Sequence, residues 1–233
     1  YIKSFTEAFR TFYGNVEEYN IIALLPSYVE RQGSSLVYMV EHLIKDSKNC
    51  ESGFFLNSYY NELSDKLIDL RSRNKKTLLI GVTYALLDFA EFLKKSGRDK
   101  SLEDIIIMET GGMKGRRKEM IKEEMHSILK ESFGVNSIHS EYGMTELLSQ
   151  AYSYGESIYE CPPWMSVLIR DINDPFTILE YGRSGIINII DLANIYSCSF
   201  IATDDLGVLD SNGKFQIRGR LDNSQIRGCN LLI

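Results

Sequence analysis

Five short apolar runs, each set between stretches of helical spacing, limit most strongly what this chain can become. NIIALL (20–25), the piece Gly53–Leu56, KTLLIGV (76–82), LEDIIIMET (102–110) and VNSIHS (135–140) have the length of buried strands. Around them, apolar residues recur every three or four positions. Helices are predicted over Ile2–Tyr13, over a segment carrying Leu36, Met39, Val40 and Leu43, over about 61–71, over YALLDFAEFLKK and over about 116–131. Ser34 and Ser35 are suited to cap the second of these. Strands that alternate with helices of this length form a parallel sheet covered on both faces.

Beyond Pro162 the pattern changes. WMSVLIRDI, GIINIIDL, CSFIATDDLGVL and KFQIRGR are short strands separated by turn residues, with no long helix among them. The expected fold class is therefore α/β, a largely parallel sheet flanked by helices and followed by a β-rich C-terminal part. The first part spans 1–161 and the second 162–233, packed as one continuous body with Pro162–Pro163 at the boundary.

Of the 233 residues, 44% are hydrophobic and 25% charged, which excludes wholesale disorder. A net charge of −6 argues against a nucleic-acid partner held through phosphates. No run approaches the roughly 18 apolar residues of a membrane span. Cys50, Cys161, Cys198 and Cys229 form no C-x-x-C pair, and no secretory segment precedes them. Reduced thiols and a cytoplasmic location are expected. His42, His126 and His139 have no zinc-ligand spacing with these cysteines.

Two polar, glycine-containing stretches follow strands, ETGGMKG (109–115) and SEYGMTE (140–146). Ligands of parallel sheets bind beyond the carboxyl ends of strands. Gly111 and Gly112 let a flat ring or a phosphate approach the backbone. Tyr142 offers an aromatic face, Gly143 clearance, Thr145 a hydroxyl, and Glu146 a hard oxygen for Mg²⁺. Together these suit a purine nucleotide with its metal. Each also has a plainer explanation: a helix-opening turn for the glycines, a dipole partner for the acid. TDDLG is equally a β-turn, Cys229 equally a small core residue, and His139, beside Glu141, either a proton shuttle or a structural histidine.

YGMTE resembles the Y-G-x-T-E signature of the adenylate-forming superfamily of acyl-CoA synthetases and luciferases. FIATDDLG is similar to its T-G-D-L segment and IRGRLDNSQIRG to its G-R-x-D hinge segment, in the same order. A narrower resemblance, from about Ala23 onward, is to the acyl-protein synthetases of the LuxE type. It rests on LLPSYVERQGSSLVYM, METGGMKGRRKEM, SEYGMTELLSQAYS and the terminal IRGCNLL.

That resemblance implies an adenylate-forming large domain that uses ATP and Mg²⁺ to make an acyl-AMP from a long-chain fatty acid. The acyl group then passes to a cysteine and on to an acceptor protein such as a fatty acid reductase. At matching positions, Tyr142 stacks on adenine, flanked by Glu141 and Gly143, with the Gly111–Gly112 backbone alongside. Thr145 bonds the α-phosphate and Glu146 binds Mg²⁺. Asp205 grips the ribose hydroxyls, Arg220 contacts ribose and phosphate, Asp222 is the hinge acid and Cys229 the acyl-accepting thiol.

Two departures bear on this. The superfamily's Ser/Thr/Gly-rich phosphate loop has no counterpart here, and the chain opens on Tyr1. An N-terminally truncated fragment is expected, one that alone activates acid poorly. Asp204 stands where the superfamily has glycine. The chain ends soon after Arg220 without a lysine-bearing subdomain, as acyl-protein synthetases do. An acyl- or aryl-CoA ligase resembling phenylacetate–CoA ligase, and a nucleotide-binding module without turnover, are the alternatives.

Overall fold

A computed structural model of the chain describes residues 1–25, 33–55, 59–98, 102–111 and 120–221. Gly112, Asp222 and Cys229 lie outside the described residues.

The first sheet takes its centre from the runs with no polar side: β1 (Asn20–Leu24) and β3 (Thr77–Val82) are buried along their whole length. Strands buried on both faces need helices on both faces. α1 (Ile2–Tyr13), α2 (Ser35–Asp46), α3 (Tyr60–Ser72), α4 (Thr83–Lys95) and α5 (Lys122–Phe133) surround the strands in chain sequence. α1 buries Phe5, Ala8, Phe9 and Tyr13, one helical face, and stops at Gly14 with φ 84°. Ser34 Oγ caps α2 by accepting from the Val37 N–H at 3.3 Å.

With β2 (Gly53–Phe54), β4 (Ile106–Thr110), β5 (His139–Tyr142) and β6 (Ala151–Ser153), the sheet has the order β2-β1-β3-β4-β5-β6. Every pairing is parallel except the last, where β6 turns back against β5. The alternation of runs thus gives the expected α/β architecture. α5 differs from expectation at its start, since Ile121 is extended, at φ −68° and ψ 150°, and the helix begins at Lys122.

β7 (Ile158–Tyr159), β8 (Met165–Arg170), β9 (Ser184–Asp191), β10 (Phe200–Leu209) and β11 (Phe215–Arg220) form a second, antiparallel sheet of order β7-β11-β10-β9-β8. β8 buries Met165, Val167 and Ile169 and turns the residues between outward, the period of a one-sided strand. β7 belongs to this sheet although it precedes Pro162–Pro163.

The seam between the sheets is tied by polar bonds. Asp191, fully buried at the end of β9, accepts from the Leu148 and Ser149 N–H groups at 2.9 and 3.1 Å and from Ser149 Oγ at 2.7 Å. The same Ser149 Oγ accepts from Trp164 Nε1 at 2.9 Å. The loop from β5 to β6, which carries the YGMTE stretch, is thereby fixed to the second sheet.

Candidate active site

Residues of three motif stretches meet at this seam. Tyr142 closes β5, Asp205 lies in β10, and Arg220 closes β11 as the register partner of Asp205. The Tyr142 hydroxyl donates to Asp205 Oδ2 at 2.8 Å and Arg220 Nε pairs with Asp205 Oδ1 at 2.9 Å. Register shifts between Ala202 and Leu206 and between Leu206 and Gly207 bracket Asp205. Such irregularities re-aim a side chain. Asp205 N–H also donates to Thr203 Oγ1 at 3.0 Å, which holds the turn of backbone in place.

The electrostatics follow from burial. Asp205 is only 8% exposed, and desolvation raises its carboxyl above the usual aspartate range against the opposing pull of Tyr142 and Arg220. Tyr142 is driven far above the ordinary phenol range by burial first and by Asp205 second, so it stays a proton donor. Its ring is nearly buried and meets Tyr159 and Phe215 at 6.0 and 5.7 Å between centroids.

The strand expected over VNSIHS lies further along the chain: β5 buries Ser140, Glu141 and Tyr142, and burying the acid among them has a desolvation cost. The compensation comes from the neighbouring strand: Thr110, paired in register with Glu141, donates its hydroxyl to Glu141 Oε2 at 2.5 Å. Gly143 is required next to it, because a Cβ there would sit 2.5 Å from Glu141 Oε1.

Gly111 follows Thr110 at the carboxyl end of β4, with φ 70° and its carbonyl accepting from Thr83 Oγ1. Thr145 and Glu146 are exposed in the turn between β5 and β6. Glu146 opens no helix, so the dipole explanation for it falls away. Its carbonyl accepts from Asn194 Nδ2 at 2.8 Å, which anchors the turn. Among the described residues no group of three or more His, Cys, Asp or Glu converges as a metal cage. Mg²⁺ is commonly held by one or two carboxylates with waters and phosphates, and Glu146 presents one exposed carboxylate.

His139 is structural. Burial lowers its pKa to about 4, and its Nδ1 lies 3.1 Å from the Tyr13 hydroxyl within an aromatic cluster. Cys50, Cys161 and Cys198 are free thiols, and burial pushes Cys161 up to about 12.

Sequence reasoning missed a second polar group under the site. Glu109, 2% exposed on β4, pairs with Lys122 Nζ at 2.7 Å and accepts from Thr83 Oγ1 at 3.1 Å. An acid inside the apolar run IIIMET was the available signal.

Solved structures share this fold. ATP-bound MatB from Rhodopseudomonas palustris superposes with a TM-score of 0.63 at 18% identity, over 94% of this chain and 43% of MatB. A luciferase-like enzyme from the nonluminescent mealworm Zophobas morio gives 0.61 at 13%, over 93% of this chain and 53% of that one. A benzoate CoA ligase from Burkholderia xenovorans gives 0.59 at 14%, over 93% and 45%. The fold is that of the adenylate-forming enzymes, and the chain spans about half or less of the length of these three. No curated protein matches the sequence. The profile of the LuxE acyl-protein synthetases matches residues 20–233, and the chain belongs to that family.

Proposed function

We propose that this chain carries the nucleotide-binding part of an ATP-dependent long-chain fatty acid–protein ligase. The observation that supports it is the bonded line Tyr142–Asp205–Arg220, assembled from three separate stretches at the seam of two sheets. A carboxylate has about four acceptor positions, and these two bonds take two of them. The remaining positions on Asp205 suit the two ribose hydroxyls. Gly111 would let the base approach the backbone beside the Tyr142 ring, with Gly112, Glu141 and Gly143 adjoining in sequence.

In this reading a fatty acid carboxylate oxygen attacks the α-phosphorus of ATP. An acyl–oxygen–phosphorus bond forms and the α–β phosphoanhydride breaks, releasing pyrophosphate. Such transfers depend on positioning and charge neutralisation. Thr145 would bond the α-phosphate and Arg220 the ribose and phosphate. Glu146 would hold Mg²⁺, which supplies neutralising charge at the phosphates. The Cys229 thiolate would then attack the acyl carbon, forming a thioester and expelling AMP, with Arg227 nearby in sequence to favour ionisation. The acyl group passes from there to an acceptor protein such as a fatty acid reductase.

Fatty-acid-dependent exchange of pyrophosphate into ATP by the full-length protein tests the first half. Exchange is expected in the wild type and absent in Asp205→Ala. Trapping labelled acyl chains on the protein tests the second: Cys229→Ser is expected to keep exchange and lose the label. Thioester formation on CoA by Cys229→Ser would instead identify an acyl-CoA ligase.

A further inference from the structure

Lys122 is the first residue of α5, and its charge is wrong for that place. Helix N-termini carry partial positive charge, so a cation there is unfavourable. Glu123 and Glu124 in the same turn have the favourable sign. Local stability does not account for Lys122; its partners across the seam do.

Its Nζ pairs with Glu109 Oε1 at 2.7 Å, donates to the Tyr159 hydroxyl, and lies 4.8 Å from the Tyr159 ring centroid. Tyr159 is 2% exposed, stacks on Phe215 at 5.3 Å and meets the Tyr142 ring edge-on at 6.0 Å. On the other side, the single proton of the Thr83 hydroxyl is shared between two acceptors, Glu109 Oε2 and the Gly111 carbonyl. One ammonium is thus connected to both walls of the proposed purine site, the Gly111 backbone and the Tyr142 ring.

We infer that Lys122 is a positioning residue for the nucleotide, acting through Tyr159 on the Tyr142 ring and through Glu109 and Thr83 on the Gly111 backbone; this rests on the adenylate reading above. The pair is built to remain charged. Burial works against the Glu109 charge, but the charge of the Lys122 ammonium and its hydrogen bond oppose it, and the carboxyl is held down at about 2. Burial likewise opposes the Lys122 charge, and Glu109 and Tyr159 overcome it and keep the ammonium above the usual lysine range. Two fixed charges give the walls one spacing, where neutral partners would tolerate several.

The test uses the full-length protein. Tyr159→Phe keeps the ring and removes only the hydroxyl. Lys122→Met strands Glu109, so it is made together with Glu109→Gln, and Lys122→Arg serves as the conservative variant. AMP affinity is read by calorimetry, folding by thermal melting, and pyrophosphate exchange by separate KM values for ATP and fatty acid. Tyr159→Phe and the double variant are expected to raise the AMP Kd and the KM for ATP about five- to twenty-fold, with the KM for fatty acid within about twofold. Lys122→Arg is expected to stay near wild type. Variants that melt earlier yet keep wild-type AMP affinity and KM for ATP overturn the inference and leave the site reading intact. A wild-type protein that neither binds AMP nor exchanges pyrophosphate overturns both.

Discussion

Arg220 Nε and Asp205 Oδ1 are 2.9 Å apart across a register pair of β10 and β11, where the last two sequence motifs run side by side. Arg220 is partly exposed while Asp205 is buried. In the proposed adenylate site, Asp205 would be the buried acceptor and Arg220 the solvent-facing cation.

Asp205→Asn separates binding from stability. Burial raises the folded-state carboxyl above its usual value, so the fold disfavours the charge. A raised acid contributes stability that is present at low pH and lost as pH rises through the folded value, and at neutral pH that contribution is gone. Removing the charge is then expected to leave Tm at pH 7 unchanged or higher. AMP affinity should fall about 10- to 100-fold, because hydrogen bonds to a charged acceptor are worth about 1.5–3 kcal/mol. Melting curves and calorimetry on the same preparation check both halves.

Much of this fold was legible because its signals are local. α1 follows from the spacing of Phe5, Phe9 and Tyr13, and the strands β3 and β8–β11 from apolar runs. β6 and β7 were not legible: three and two residues are too short to show a period. The site divides in the same way. Tyr142, Asp205 and Arg220 were readable as motif positions, but their bonds depend on pairing between segments far apart in the chain. That Glu141 is buried in a strand could not be read locally, because the hydroxyl bonded to it, on Thr110, is 31 residues away in sequence. Lys122 and Tyr159 carry no motif, and only the packed seam shows their contact.

Glu109 makes acid sensitivity predictable. Its carboxyl falls from an ordinary 4.5 to about 2 in the folded chain, so its stabilisation is present above the unfolded value and lost as pH falls through that window. Glu109→Gln leaves the Lys122 ammonium without its buried counter-ion and is expected to cost about 3–5 kcal/mol at pH 7. The gap between wild type and variant should narrow as pH falls from 4.5 toward 2. Urea unfolding at several pH values measures it; a gap independent of pH would show that the pair is not ionised.

Gly143→Ala probes the fit of the loop. The added Cβ would meet Glu141 Oε1 at 2.5 Å, and Thr110 holds that carboxylate in place. Relief requires the Glu141 carboxylate to give up its bond with Thr110 or the backbone to shift. A loss of about 1–3 kcal/mol is expected, together with weaker AMP binding. Adding Glu141→Ala removes the obstacle and should recover part of the loss, a coupling that a double-mutant cycle reads directly.

Glu146 offers the clearest division between holding a nucleotide and processing it. Its side chain is exposed and its turn is anchored through the backbone carbonyl by Asn194, so Glu146→Gln removes charge without loosening the fold. Tm is expected to stay within a degree or two, since exposed substitutions of this kind are usually within about 0.5 kcal/mol. AMP makes little demand on a metal, so its affinity should change little. Pyrophosphate exchange should fall by about 10- to 100-fold and respond to added Mg²⁺, because one hard oxygen ligand has been lost where charge builds on the phosphates. Exchange by the full-length variant at the wild-type rate and the same Mg²⁺ dependence would assign the metal to other residues.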